Sequence, residues 1–402
     1  MFSPRVKTGA LMLEGLNALA TTIYFSYLYF YMRDRFGFTN LENLSLAALN
    51  GLVYSIAVWF AGKFAQTRGY FFALRLGFGT MAVATGIAGL AQSVPGHIGA
   101  ALLCSLGMSL TWPTLEAIVS EHESPARLKH LLGVYNVVWA VCGGAAYFMG
   151  GALIEQWGHT SIFLVPSTIH FAQVLLTIRL APAVNPPHPI PVARAPAPPH
   201  GEGLASEAER LRSPQPPRRF LQMAWVANPF CYIAINAMLP VIPKIAERFS
   251  LGPMLAGFFC STWFFARTLG FVLLWHWDGW HYRFRWLLSA YVLMVLAFLG
   301  VLIGRQLWLL IAAQVVFGLA VALAYYSSLF YSMDVGETKG EHGGFHEAAL
   351  GAGTCTGPAV GALSLRFFPQ HTDMHAWVVA GLLMAGMLWL LALRYVSPPR
   401  SA

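Results

Sequence analysis

Twelve runs of roughly 20–25 mostly apolar residues succeed one another along the chain, and that succession constrains the fold more than any motif does. They cover approximately residues 8–32, 43–62, 71–92, 97–119, 130–154 and 160–180, then 220–245, 254–276, 284–304, 307–332, 343–366 and 374–396. A helix of ~20 apolar residues crosses the hydrocarbon of a bilayer. Inside lipid the backbone must satisfy its own hydrogen bonds, so only helices or closed barrels span it. The alternating strands of about ten residues that build a barrel are absent. Charged residues make up 10% of the 402 and hydrophobic ones 57%, against ~25% charged in soluble domains, so water cannot be the solvent for most of this surface. The expected fold is an all-α integral membrane protein of twelve transmembrane helices.

The stretch "APAVNPPHPIPVARAPAPPHGEGLASEAERLRSPQPPRRF", residues 181–220, falls between the sixth and seventh runs. It holds 11 of the chain's 24 prolines, a density that excludes a packed core or a regular helix and predicts an extended, solvated linker. The expected organisation is therefore a six-helix bundle over 1–180, the linker over 181–220 and a second six-helix bundle over 221–402. An internal repeat agrees with this. "GVYNVVWAVCGGAAYFMGGAL", residues 133–153, reads as a copy of "GGFHEAALGAGTCTGPAVGAL", residues 343–363. Gly133 then lies on Gly344 and Asn136 on Glu347, which makes the fifth and eleventh runs equivalent members of two parallel halves. Two parallel six-helix halves are the arrangement of a rocking transporter, whose site lies between them near the midplane.

Basic residues set the expected orientation. With both termini on one side, eighteen lysines and arginines fall on the side of the termini and the linker, and six on the other. That bias places the termini and the linker in the cytoplasm. The first run lacks a small-residue cleavage site and is expected to be retained as a spanning helix. The net charge of +8 forms no basic stripe interleaved with aromatics, so no nucleic-acid partner is expected. Cys104, Cys142, Cys231, Cys260 and Cys355 lie in apolar runs without a CxxC pair and read as packing residues, not as disulfides or metal ligands.

The loop after the second run reads "GKFAQTRGYFFALRLG", residues 62–77. Gly62, Arg68 and Gly69 resemble the cytoplasmic loop signature of the major facilitator superfamily, with Gln66 where the signature carries an acid. The matching loop of the second half, "WHWDGWHYR", keeps an acid at Asp278. In the eleventh run Gly344, Gly353, Gly357, Pro358 and Gly361 reproduce the spacing of that superfamily's glycine-proline signature. The chain is similar to this family over essentially its full length. The resemblance implies a secondary transporter with cytoplasmic gate loops at Gly62, Gln66, Arg68, Gly69 and Asp278, and a cavity lined by helices one, four, seven and ten. Exporters of the family carry the glycine-proline signature in helix five, where this chain has glycines but no proline, which favours uptake over export. The glycines and Pro358 are expected to let helices pack closely at the interface between the halves.

Polar side chains inside spanning helices are costly and mark candidate sites. Arg267 sits nine residues before His276, roughly 14 Å from that helix end and close to the midplane of a ~30 Å core. It suits a substrate anion, a proton relay or a structural ion pair. Glu14 and Asn17 share a face of the first helix, one turn apart. Trp112 and Glu116 are similarly spaced in the fourth, Asn136 lies in the fifth, Asn236 in the seventh, and Tyr325 and Tyr326 in the tenth. Pro240 and Pro243 should break the outer end of the seventh helix. His346 and Glu347 open the eleventh, where an acid is favoured by the helix dipole by ~0.3–1 kcal/mol, and where a buried His–Glu pair can also titrate near neutral pH.

Catalytic readings find no support. "HEAAL" has Leu350 where a zinc-binding HExxH helix has its second histidine, and "GAGTCTG" follows no strand and lacks a phosphate-loop lysine. No cofactor and no metal set is read from the sequence, and an enzyme is not expected. The expected protein is a monomeric, multi-pass secondary transporter of the plasma or inner membrane. It moves a small polar organic solute by alternating access, with protons as coupling partners and the lipid bilayer as its solvent. A proton-driven drug or metabolite exporter and a non-transporting membrane sensor or partner protein are the alternatives.

Overall fold

In the computed structural model of the protein, residues 2–121, 123–181, 204–335 and 339–395 are described, with the side chains of 125–126 and 339–348 outside that description. Six long helices precede the linker: α1 (Pro4–Phe36), α2 (Asn40–Arg68), α3 (Tyr70–Leu90), α4 (Val94–Ser120), α5 (Pro125–Trp157) and α6 (Ser161–Leu180). After them come the one-turn helix α7 (Glu207–Arg210), then α8 (Pro217–Met238), α9 (Ile242–Arg248), α10 (Pro253–His276), α11 (Phe284–Ile303), α12 (Leu307–Val335), α13 (Lys339–Phe367) and α14 (Met374–Tyr395). Several helices begin a few residues before their apolar runs because polar caps start them. Ser3 accepts from the Val6 amide, Thr39 forms a reciprocal capping box with Glu42, and Ser93 accepts from the Gly96 amide. Gly37, in the left-handed region at φ 71°, closes α1.

Among the described residues, ten helices are long and apolar enough to cross a membrane, with Pro217–Arg248 counting as one span. That span is broken at a short 3₁₀ turn, Leu239–Val241, where Pro240 and Pro243 withhold backbone donors. Helices α1 and α13 are as long, at 33 and 29 residues, but carry more polar residues and glycine. Both run in the interior of the assembly, where α1 packs on α5, α6 and α4, and α13 packs on α2 and α8. The polar composition of α1 follows from facing protein instead of lipid, with Lys7, Glu14, Asn17 and Thr21 all buried.

Helices α1–α6 pack among themselves, as do α8–α14. Two long seams join the halves, α2 against α13 and α5 against α10. Each is a close approach through small residues. A Cβ on Gly51 would lie 2.6 Å from backbone atoms of Thr354 and Cys355, and one on Gly351 would lie 2.8 Å from Ser55. Along α5, Gly133 lies under the Trp275 ring and Gly143 under Phe264, while Gly151 meets the Pro253 carbonyl.

Two expectations are corrected. Gly353 and Gly357 face the Pro229 and Ile233 carbonyls of α8 in their own half, so they close α13 onto α8 and not onto the other half. Gly361 faces across instead, with Leu44 of α2 3.3 Å from where its Cβ would be. The reason is angular: at ~3.6 residues per turn each step of four drifts by about 40°, so Gly353 and Gly357 face α8 while Gly361 has turned towards α2. Pro358 lies inside α13 between them. The second correction concerns the linker. Residues 182–203 lie outside the described residues, but 204–216 are ordered against the second half and include α7. The prolines are concentrated before residue 200 and after 213, which leaves "EAER" free to form one helical turn capped reciprocally by Ser206 and Glu209.

Candidate functional site

Both ends of the bundle and its middle carry the polar residues read from the sequence. One end holds the N-terminus and the linker, and the other holds the turns at 37–39 and 249–252. These are the linker end and the far end below.

Midway along α10, Arg267 is 1% exposed. Its guanidinium carbon lies 4.5 Å from the Trp139 ring centroid, 5.0 Å from Tyr325 and 5.3 Å from Phe271. Trp139 belongs to α5, so the box around this charge is built from both halves. Its Nε and Nη2 make no hydrogen bond among the described residues. Burying an ion is costly unless it is paired. Three aromatic faces return ~0.5–2 kcal/mol each to a desolvated cation, and they accept no directed hydrogen bond. The box therefore tolerates the charge and leaves its planar donor edge available.

Other predicted residues surround this centre unevenly. Asn136 is buried one turn before Trp139 on α5, and its Nδ2 has no acceptor among the described residues. Leu132, one turn earlier, packs with Leu329 of α12, and Tyr325 lies one turn before Leu329. The register therefore places Asn136 at the level of Tyr325. Glu14 and Asn17 are both 0% exposed in α1. Asn17 donates to Thr111 Oγ1 at 3.3 Å, and Gln173 of α6 donates to the Leu13 carbonyl at 2.8 Å, which fixes α1 against α4 and α6. Next to Glu14, Gly15 lets Cys142 and Val138 of α5 approach closely. Trp112 is half-buried edge-on to Tyr54 at 6.2 Å, and Glu116 is buried one turn before the linker end of α4. Asn236 donates to the Tyr232 carbonyl at 2.9 Å and lies 3.5 Å from Thr354 Oγ1 of α13. Tyr326 packs against Phe271 and Trp280 inside the second half. The structure thus gathers Arg267, Tyr325 and Asn136 along one stretch of the half–half boundary, and keeps Trp112 with Glu116 on α4.

At the linker end Lys129 of α5 pairs with Asp278 at 2.7 Å, beside the apolar contact of Leu128 and Leu132 with Leu329. Gln66 and Arg68 are exposed. Gly62 and Gly69 face open space, and Gly69, at φ 96°, turns the chain from α2 into α3. Of the two loops, it is the second-half loop, through Asp278, that bridges the halves. At the far end Arg33 pairs with Glu247 at 2.6 Å. Asn43 there donates to the Tyr29 and Pro240 carbonyls, each at 3.2 Å. The side chains of His346 and Glu347 lie outside the described residues.

Trp139, Phe271, Lys129 and Leu329 were not singled out by the sequence. The apolar ones look like any core residue, and Lys129 looks like any cytoplasmic cation. Their roles depend on α5 lying against α10 and α12, a tertiary fact that helical periodicity does not encode.

Solved structures share this architecture, among them those of three transporters. The crystal structure of the human organic anion transporter MFSD10 (TETRAN) superposes with a TM-score of 0.65 at 14% identity, covering 96% of this chain and 100% of that one. A bacterial homologue of the human lysosomal transporter Spinster, inward-facing and occupied, gives 0.66 at 13% identity, covering 97% and 94%. The nucleoside transporter NupG gives 0.67 at 17% identity, covering 96% and 99%. At such identities the likeness is one of fold. A search of curated protein sequences returns no match. The sequence profile of the Major Facilitator Superfamily matches residues 10–334, which is most of the chain, and the protein therefore belongs to the major facilitator superfamily of membrane transporters.

Proposed function

We propose that the chain is a secondary transporter that carries a small organic anion between its two halves by alternating access, together with a proton. The observation that carries this reading is the Arg267 box. A buried guanidinium has its Nε and Nη2 donors unused among the described residues, and its aromatic walls are supplied by both halves. A carboxylate between the halves would take the planar edge in two parallel charge-assisted bonds, and the rings would flank its apolar part.

The end contacts support alternation. The halves are bridged at both ends, and each bridge includes an ion pair that is partly exposed on both sides, 28%/43% for Lys129–Asp278 and 21%/57% for Arg33–Glu247. Such pairs contribute ~0–1 kcal/mol, so neither ion pair by itself locks its end. Glu14, a fully buried acid in the first half, is the proposed proton carrier. Uptake of an anion with one proton moves no net charge and works against a negative interior potential. The bias of basic residues supports a cytoplasmic linker end, which reporters fused after residue 402 and within the 37–39 turn would read directly.

Binding tests the reading in purified protein. A recognised carboxylate at a hundred times its Kd should stabilise the fold by ~2.7 kcal/mol, a shift of the melting temperature by degrees. The amide and the amine of the same skeleton should give no shift. Equal shifts from all three would remove the anion site.

A further inference from the structure

Part of the linker is built into the bundle at the contact that closes the linker end. Asp334, at the end of α12, is its anchor. This buried carboxylate accepts from the Ala205 amide at 2.8 Å, from Arg210 Nη2 at 2.8 Å and from the Tyr282 hydroxyl. Two of these three donors belong to the linker segment. The hydrogen bond to Asp334 also holds the Arg210 guanidinium more firmly protonated than usual. A second set of contacts lies one step away. Arg212 donates to the Asp278 backbone carbonyl at 2.7 Å, and Glu209 Oε1 lies 2.8 Å from His281 Nδ1. Facing a carboxylate at that distance, Nδ1 is the protonated nitrogen and donates. Burial alone would raise the Glu209 pKa, yet bonds from the Ser206 amide and from His281 outweigh it and hold this acid below its ordinary value.

These contacts converge on the turn Asp278–Trp280, whose carboxylate also reaches across the boundary to Lys129. His281 Nε2 lies 3.7 Å from Asp278 Oδ1, so the turn is held from behind by His281 and by Arg212 while its acid faces the other half. Glu209, Asp278 and His281 are close enough to share a cation, but the Lys129 ammonium and the Arg212 guanidinium already balance the two acids. The convergence has a mechanical meaning. Lys129 must leave Asp278 for the linker end to open, and the position of Asp278 is set by linker residues.

We infer that residues 204–216 form a strap that clamps the linker end shut, so that docking of the linker on the Asp278 turn and closure between the halves are one coupled equilibrium. The inference rests on the reading of Lys129–Asp278 as a gate contact. The strap works through position: among the described residues Glu209 and Arg212 make their polar contacts within the second half and the strap, away from the Arg267 box.

The test uses the full-length protein with spin labels at Arg127→Cys on α5 and Arg285→Cys on α11, both exposed positions, and measures the distance distribution between them. Lys129→Ala should enlarge the long-distance population and so validates the gate contact. Arg212→Ala and Glu209→Gln should each raise that population by about two- to five-fold, the effect of losing one partly exposed polar contact. Glu207→Gln, exposed on the same turn, should leave it unchanged. A response to Lys129→Ala with none to Arg212→Ala or Glu209→Gln would overturn the strap and leave the gate standing. An unchanged distribution in Lys129→Ala would overturn both. Glu209→Gln is isosteric, so it still reports if Arg212→Ala fails to fold.

Discussion

Arg267→Lys should weaken binding of a carboxylate solute by about 30-fold or more, the effect of losing a desolvated charge-assisted contact worth ~2–5 kcal/mol, while the melting temperature stays within a few degrees of the parent. The two halves of this prediction come from different features of the box. Binding falls because an ammonium is a point charge on a flexible stem and cannot present two coplanar donors. Stability holds because no protein acceptor is lost: Nε and Nη2 have none among the described residues, and Trp139, Tyr325 and Phe271 can flank an ammonium as well. Arg267→Ala should abolish binding and likewise leave the fold intact, since it removes a buried charge with no ion-pair partner among the described residues. A structural role predicts the reverse, with poor folding of the alanine variant, rescue by lysine, and binding that follows the folded fraction. Melting curves and equilibrium binding on the two variants separate these outcomes.

The second large effect is expected at Glu14. If this acid carries the proton, a pH difference of one unit across a vesicle membrane should drive about tenfold accumulation of the anion, because 1.4 kcal/mol of gradient is converted one to one. Glu14→Gln keeps the shape of the side chain and removes the titration. It should hold accumulation at the equilibrium level while exchange of solute for solute continues near the parent rate. Exchange needs only the loaded carrier to reorient, and a permanently neutral side chain at position 14 mimics the protonated state. Full accumulation in Glu14→Gln would move coupling to another group. Loss of exchange together with a lower melting temperature would make Glu14 a structural residue.

Much of the architecture was legible because lipid imposes it. Helix length, the absence of barrel strands and the polar breaks between runs follow from the need to satisfy every backbone group in hydrocarbon, and the structure places its helices on those runs. The fracture at Leu239–Val241 was legible for a local reason, two prolines three residues apart. The site was legible residue by residue but not as an assembly. Arg267 stood out because a charge at that depth is costly, whereas Trp139 looked like any apolar residue until α5 was seen against α10. The same limit explains the glycines of α13. Their spacing announces a close-packed face, but not which neighbour lies against it, and α8 takes Gly353 and Gly357. Residues 204–216 of the linker depart from the expected extended form because average proline density hides a proline-free stretch with its own capping signal, Ser206 with Glu209.

Solute counterflow tests most directly whether an anion is carried between the halves. Purified full-length protein is reconstituted into vesicles loaded with one small organic carboxylate at a time from a broad panel, and entry of the labelled compound is followed with no ion gradient. Transport centred on Arg267 predicts saturable exchange of at least one carboxylate, competed by other carboxylates of similar size and absent for the matching amide and amine. Exchange of the amide or the amine at the rate of the carboxylate, or no exchange of any carboxylate in the panel, would contradict it.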